Sequence, residues 1–281
     1  MHSLSQEQVR ALLRLLETEA DHNRPVLKQA LASAIKTDPA AVQGVLEKDF
    51  ARTAPRPIVE VLEEICWEDL SEALAHFAAK INPNIEEGLS LLAKFASPTT
   101  PRGKISQPLD DMALELRPVL LNTTTAREAA QAIGLYIFNV KKFTALSSAK
   151  NLNELAFPHF LRKKSGSSLC IACLYACIGQ RYGIEMEVVD LAGRILLHVQ
   201  DKPHNDTFAI DPLDNGKILS IDDCQSYLKA RNLHWNTAEF TVLSSRLIVR
   251  RFLANMIYLL NKIHDTRRLN YLRSYLEIIK N

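Results

Sequence analysis

Val9, Leu12, Leu13 and Leu16 recur at the three- and four-residue spacing that gathers side chains on one face of a helix, with polar residues between them. Ahead of them, Ser5-Gln6-Glu7-Gln8 has the Ser-x-x-Gln form of a capping box, so a first helix is expected from about Ser5 to Glu19. Pro25, Pro39, Pro57 and Pro83 each precede another apolar-periodic stretch. Proline lacks an N–H that the first helical turn leaves unpaired anyway, and these positions read as helix starts. To about Ala96 the pattern predicts short helices with brief connections, like an α-solenoid in outline but without a self-similar repeat.

The segment SPTTPRGKISQP, Ser97 to Pro108, loses this periodicity and reads as the main loop and internal boundary. Helical spacing resumes in LDDMALELRPVLL and in TTTAREAAQAIGLYIF, where Thr124 or Thr125 can cap and Ala129, Ile133, Tyr136 and Ile137 share a face. After Gly183 the period shortens. EMEVVDLA, RILLHVQ and DTFAIDP are short, apolar or alternating runs separated by turn residues, the signature of a small antiparallel sheet. Asp222 or Asp223 can open a further helix through Cys224, Tyr227 and Leu228, and two longer helices are expected over Leu243–Ile263 and Thr266–Ile279. Helices, one cluster of strands and helices again predict a predominantly helical α+β fold, its sheet packed on the helix of SGSSLCIACLYACIGQRYG, Ser165 to Gly183. Three regions follow: residues 1–96, helical; 109–240, the core with its helical lead-in; and 241–281, a helical pair.

Composition agrees. Of 281 residues 47% are hydrophobic and 23% charged, with nine glycines, a profile of a helix-rich globular protein and not of a disordered one. A net charge of +2 asks for no nucleic-acid or membrane partner. The C-terminal segment is basic, with Arg246, Arg250, Arg251, Lys262, Arg267, Arg268, Arg273 and Lys280 against Asp265 and Glu277. It lacks interleaved aromatics at a reading element, so a solvated helix surface is expected and nucleic-acid binding is not. The N-terminus has no secretory apolar core and no run reaches the roughly 18 residues of a membrane span, which makes a cytoplasmic location the expectation. Five cysteines, three on one helix, make a poor disulfide framework, and free thiols are expected.

Those three are Cys170, Cys173 and Cys177, at i, i+3 and i+7 on one helical face. Cys173 and Cys177 read as small buried hydrophobes. Ser167 or Ser168 would cap the helix and set Cys170 in its first turn, where free N–H groups and the macrodipole favour a thiolate while apolar surroundings oppose it. Two readings of Cys170 stand: packing, or an activated thiol. The C-x-x-C-x-x-x-C run lies within one helix with no adjoining histidine, and neither a metal cluster nor a thioredoxin-type redox pair is expected.

Taken in order, KKSGSSLCIACLY, RYGIEMEVVDLAG and FAIDPLDNGKILSIDDC resemble the SirB-type branch of bacterial transglutaminase-like proteins, over roughly Ala73 to the C-terminus. The most specific part is Asp211-Pro212-Leu213-Asp214-Asn215-Gly216 followed by Leu219-Ser220 and Asp223-Cys224. IGLYIFNVKKF is similar to that branch's helical lead-in, and the last two helices to its C-terminal repeat. The resemblance implies a papain-like core in which a helix start presents a nucleophile to a sheet bearing histidine and an acid, a Cys–His–Asp triad, with no cofactor. Cys170 matches the nucleophile position and Asp211 the orienting acid; a turn-capping aspartate is the other reading of Asp211.

The histidine is missing. The branch's Pro-Gly-His-Phe stretch corresponds to Ala192-Gly193-Arg194-Ile195, and arginine is no general base near neutral pH. His198 shares the strand face of Arg194, but four residues span about 13 Å, too far to replace the ring. Arg194 can instead pair with Asp211 across neighbouring strands, as a structural ion pair or a carboxylate-binding site. Two functions compete. One is a non-catalytic or weakly active protein that binds a peptide or protein partner through a degenerate Cys/Arg/Asp cleft. The other is an active cysteine amidase, peptidase or acyltransferase with Cys170 as nucleophile, Asp211 as orienter and His198, His204 or His159 as base.

Overall fold

The computed structural model of the chain describes residues 4–18, 22–50, 54–96, 105–146, 149–233 and 240–280. It divides into two compact units, Met1–Leu70 and Ser71–Asn281. The first holds α1 (Gln6–Thr18), α2 (Arg24–Thr37), α3 (Pro39–Asp49) and the start of α4 (Arg56–Ala79). The expected capping box closes at α1: the Ser5 N–H donates to Gln8 Oε1 at 2.9 Å and the Gln8 N–H to Ser5 Oγ at 3.3 Å. Pro25 and Pro39 occupy first turns, and the Asp38 carboxylate caps α3 by accepting the Ala41 N–H at 2.9 Å. Val9, Leu13, Leu31, Val45, Ile58 and Val61 form one core. Each such side chain taken out of water contributes about 1.5–3 kcal/mol, which holds helices that are marginal alone.

The second unit continues with α5 (Ile85–Ala96), α6 (Ser106–Leu120) and α7 (Ala126–Gly134), which passes into a π-helical turn, Leu135–Val140. Of the expected loop, residues 97–104 lie outside the described residues; its end is helical instead, because Pro108 is accommodated in the first turn of α6. Thr125 caps α7, accepting the Glu128 N–H at 3.1 Å. There follow β1 (Thr144–Leu146), a 3-10 turn (Leu152–Leu155), α8 (Phe157–Lys163), β2 (Ser165–Ser167) and α9 (Ser168–Arg181). Then come β3 (Met186–Leu191), β4 (Arg194–Asp201), β5 (Asp206–Asp211), β6 (Lys217–Leu219) and α10 (Ile221–Lys229). The chain closes with β7 (Phe240–Val242), α11 (Ser245–Lys262) and α12 (Thr266–Ile278). No helix among the described residues is long and apolar enough to cross a membrane.

The fold is the expected α+β one, mostly helical, with one five-stranded antiparallel sheet among the described residues, in the order β6-β5-β4-β3-β7. The three strands read from the sequence are its long ones; β6 and β7, three residues each, are too short for alternation to register. β1 and β2 add a separate parallel pair, Thr144 opposite Ser165.

Strand register fixes what each face carries. Val189, Leu191, Leu196 and Ala209 point one way and pack on Cys224 and Leu228 of α10. Met186, of opposite parity, points the other way, and a Cβ at Gly179 of α9 would stand 3.2 Å from its sulfur. The sheet therefore lies between α10 and the cysteine helix α9, which packs on β3 and β4.

Candidate functional site

Ser167, not Ser168, caps α9: its Oγ accepts the Cys170 N–H at 3.4 Å. Cys170 thus sits in the first helical turn, as its sequence position implies. The same hydroxyl donates to Cys170 Sγ at 3.4 Å, and the thiol donates weakly to the Glu154 carbonyl at 3.9 Å. That carbonyl belongs to the 3-10 turn that, with α8 and β2, lies over the helix start. Gly166 permits the closure, because a Cβ there would overlap the Phe160 ring and press on Cys170 Cβ at 3.3 Å.

Cys170 is consequently 0% exposed. Burial pushes its thiol pKa up to about 11, and the two Ser167 hydrogen bonds offset only part of that. Cys173 and Cys177 are buried alike, with burial again raising both. All five cysteines are free thiols.

Arg194 and Asp211 meet in an ion pair, the guanidinium Nη2 donating to Asp211 Oδ2. Alternation along antiparallel strands accounts for it, since Asp211 on β5 and Arg194 on β4 fall on the same face, beside Leu196 and Ala209. Asp211 is 0% exposed, and its Oδ1 accepts the Leu213 N–H at 2.9 Å, so the carboxylate also caps the turn into β6. The Arg194 guanidinium lies 4.9 Å from the Tyr227 ring centroid, and Arg231 lies 4.6 Å from the same ring. Cys224, buried beneath them, has its pKa pushed up to about 11, first by burial and then by Asp223.

The pair faces α10, whereas Cys170 belongs to α9 on the other side of the sheet. The structure thus brings Arg194 and Asp211 together and leaves Cys170 apart from them. His198 shares the face of Arg194 but is opposite Glu187 on β3, with Nδ1 2.9 Å from Glu187 Oε2. His159, on α8, takes a contact from Arg162 Nη2 to its Nδ1 at 3.2 Å; burial first, then Arg162 and Lys163, lower its pKa. His204 stands 2.9 Å from buried Asp201, whose other oxygen accepts the Ala126 N–H at 2.7 Å and ties the sheet to the start of α7.

Sequence reasoning passed over the cover on Cys170, although Asn151-x-x-Glu154 carried a capping signal: Asn151 Oδ1 accepts the Glu154 N–H at 3.2 Å. It placed Tyr227 on a helix but not beside Arg194, and it passed over Arg231, which no motif marks.

No curated protein and no solved structure matches the chain. The profile of the transglutaminase-like superfamily matches residues 103–254, more than half of the chain and all of the sheet, α9 and α10. With a helix bearing Cys170 in its first turn packed on an antiparallel sheet whose strand β5 ends in Asp211, and a profile match spanning both, the chain belongs to the transglutaminase-like superfamily.

Proposed function

We propose that this chain is a catalytically silent member of the superfamily, of its SirB-type branch, and that it works by binding a peptide or protein partner, with Arg194 among the residues available to it. One observation carries the reading: the sulfur of Cys170 is sealed, while the residue in the imidazole position is an arginine held by Asp211 on the other face of the sheet. A cysteine nucleophile needs a base within about 3 Å and a usable fraction of thiolate. With a pKa of about 11, only on the order of one Cys170 thiol in ten thousand is ionised at pH 7. In this reading the helical regions 1–96 and 241–281 precede and follow a core of 109–240 along the chain. Five free thiols support a reducing, cytoplasmic setting.

Alkylation of the native protein across pH, mapped cysteine by cysteine, tests the silence, together with amide and ester hydrolysis by wild type and Arg194→His. Cys170 is expected to react no faster than local unfolding exposes it, and Arg194→His to gain no hydrolysis. Selective alkylation of Cys170 below pH 8, or thiol-dependent turnover by Arg194→His, would overturn the reading.

A further inference from the structure

Two basic runs apart in the chain, Lys141-Lys142 and Arg162-Lys163-Lys164, lead directly into β1 and β2. Those strands are parallel, and the Thr144 N–H donates to the Lys164 carbonyl at 2.8 Å, so both runs arrive at the same end of one ribbon. Paired strands stand about 4.8 Å apart, well inside a Debye length of about 8 Å, so these charges are poorly screened from one another. Lys141 has a carboxylate, Glu115, at 2.7 Å. Lys142, Arg162, Lys163 and Lys164 are exposed, and among the described residues none of the four forms an ion pair. The nearby Glu154 forms no ion pair with them; its carboxylate accepts the Lys150 N–H at 2.7 Å and the Asn151 side-chain amide at 2.9 Å. Lys142 and Lys164 both stand at positive φ, 60° and 57°, where glycine or asparagine would be the cheaper residue.

The surroundings narrow the class of polyanion. Phe143, Phe157 and Phe160 are buried, so among the described residues no phenyl ring beside the ribbon is offered for stacking on bases, and the half-buried His159 ring is engaged by Arg162. α8 turns Phe157, Phe160 and Leu161 into the core and keeps no apolar face for a lipid surface. Val140, 65% exposed and adjoining Lys141, provides one apolar contact.

We infer that this end of the β1–β2 ribbon docks an acidic segment of a protein partner, its carboxylates meeting Lys142, Arg162, Lys163 and Lys164 and an apolar side chain meeting Val140. The inference rests on the partner-binding part of the reading above and supplies the partner's chemistry.

Fluorescence anisotropy with a labelled oligoglutamate peptide tests it on the full chain. The triple variant K142Q/K163Q/K164Q is compared with K229Q/K262Q/R273Q, which removes equal charge from exposed positions on α10, α11 and α12. Wild-type affinity is expected to fall several-fold as ionic strength rises from about 0.05 to 0.3 M. The ribbon variant is expected to lose about tenfold, and the comparison variant less than about twofold. Equal affinity of the ribbon variant, an equal loss in the comparison variant, or a salt-independent wild type would overturn the assignment. So would tighter ribbon-dependent binding of single-stranded RNA or of phosphatidylserine vesicles. Activity at Cys170 would sink catalytic silence without moving this binding, and loss of this binding would leave Cys170 alkylation unchanged, so the two failures are separable.

Discussion

Arg194→Met strips the guanidinium from a carboxylate that is 0% exposed. Asp211 Oδ1 keeps the Leu213 N–H at 2.9 Å, but Oδ2 is left without its partner. Breaking a buried ion pair from one side costs about 3–5 kcal/mol, because the remaining charge is uncompensated. Arg194 is 29% exposed along its side chain, so water follows into the vacated space and the expected loss is lower, about 2–3 kcal/mol. For a unit of this size that is a fall of about 5–10 °C in Tm. Asp211→Asn leaves a cation already partly in water and should cost only about 1–2 kcal/mol. The double variant should fall short of the sum by at least about 1 kcal/mol. Because the chain has two units, urea unfolding is best paired with hydrogen exchange at β4 and β5 amides, which reports the pair locally. An Arg194→Met protein within about 0.5 kcal/mol of wild type, or strict additivity, would refute the account of the pair as the anchor of this sheet end.

Gly216, at φ 76°, faces Tyr175 and Phe138, and a Cβ there would overlap the Tyr175 hydroxyl. Gly216→Ala should cost about 2–4 kcal/mol from backbone conformation and overpacking together, and an unchanged Tm would show that the turn is not packed this way. The Tyr175 hydroxyl is buried and has no hydrogen-bond partner among the described residues, so Tyr175→Phe should stabilise by about 1 kcal/mol; a lower Tm would reveal a partner. Burial raises the pKa values of Cys170, Cys173, Cys177 and Cys224. The unfolded chain ionises its thiols near pH 8.5, while Cys170 and Cys224 wait until about 11, so above about pH 8.5 the folded state binds more protons and stability falls as pH rises. A urea midpoint that did not move between pH 8 and 10 under reducing conditions would contradict this.

Periodicity revealed what repeats. The apolar stripe of α1, the proline-marked starts of α2 to α4 and the alternation of β3 to β5 were legible because each element is long enough to show its period. β6, β7 and the β1–β2 pair were not, since three residues show no period and parallel pairing is a tertiary fact. The site divides the same way. Arg194 meeting Asp211 follows from strand alternation alone, once the strands are known to be neighbours. The burial of Cys170 depends on the turn at 152–155 closing over a helix start, and its separation from the pair depends on which face of the sheet α9 and α10 each cover. The capping signal at Asn151 marks the turn but not what it closes over, and the packing faces of α9 and α10 leave no mark on local sequence.

The persistence of Asp211 beside an arginine has a structural reason independent of catalysis. Its carboxylate caps the turn through the Leu213 N–H, and its carbonyl accepts the Gly216 N–H at 2.9 Å, so the turn into β6 needs an aspartate whatever the neighbouring residue does. A buried carboxylate in turn needs a cation, and an imidazole would supply one only while protonated. A guanidinium is charged at every pH a protein survives, and its planar fork reaches both the carboxylate and the Tyr227 ring. Arginine therefore serves the turn better than histidine as soon as proton transfer is no longer required. Under the proposed reading, with Arg194 at the histidine position of the family it resembles, a fixed cation stands in place of a titrating one and Asp211 serves as the anchor of a sheet end. A reverting Arg194→His protein should accordingly lose stability as pH rises through the imidazole range and regain no chemistry at Cys170.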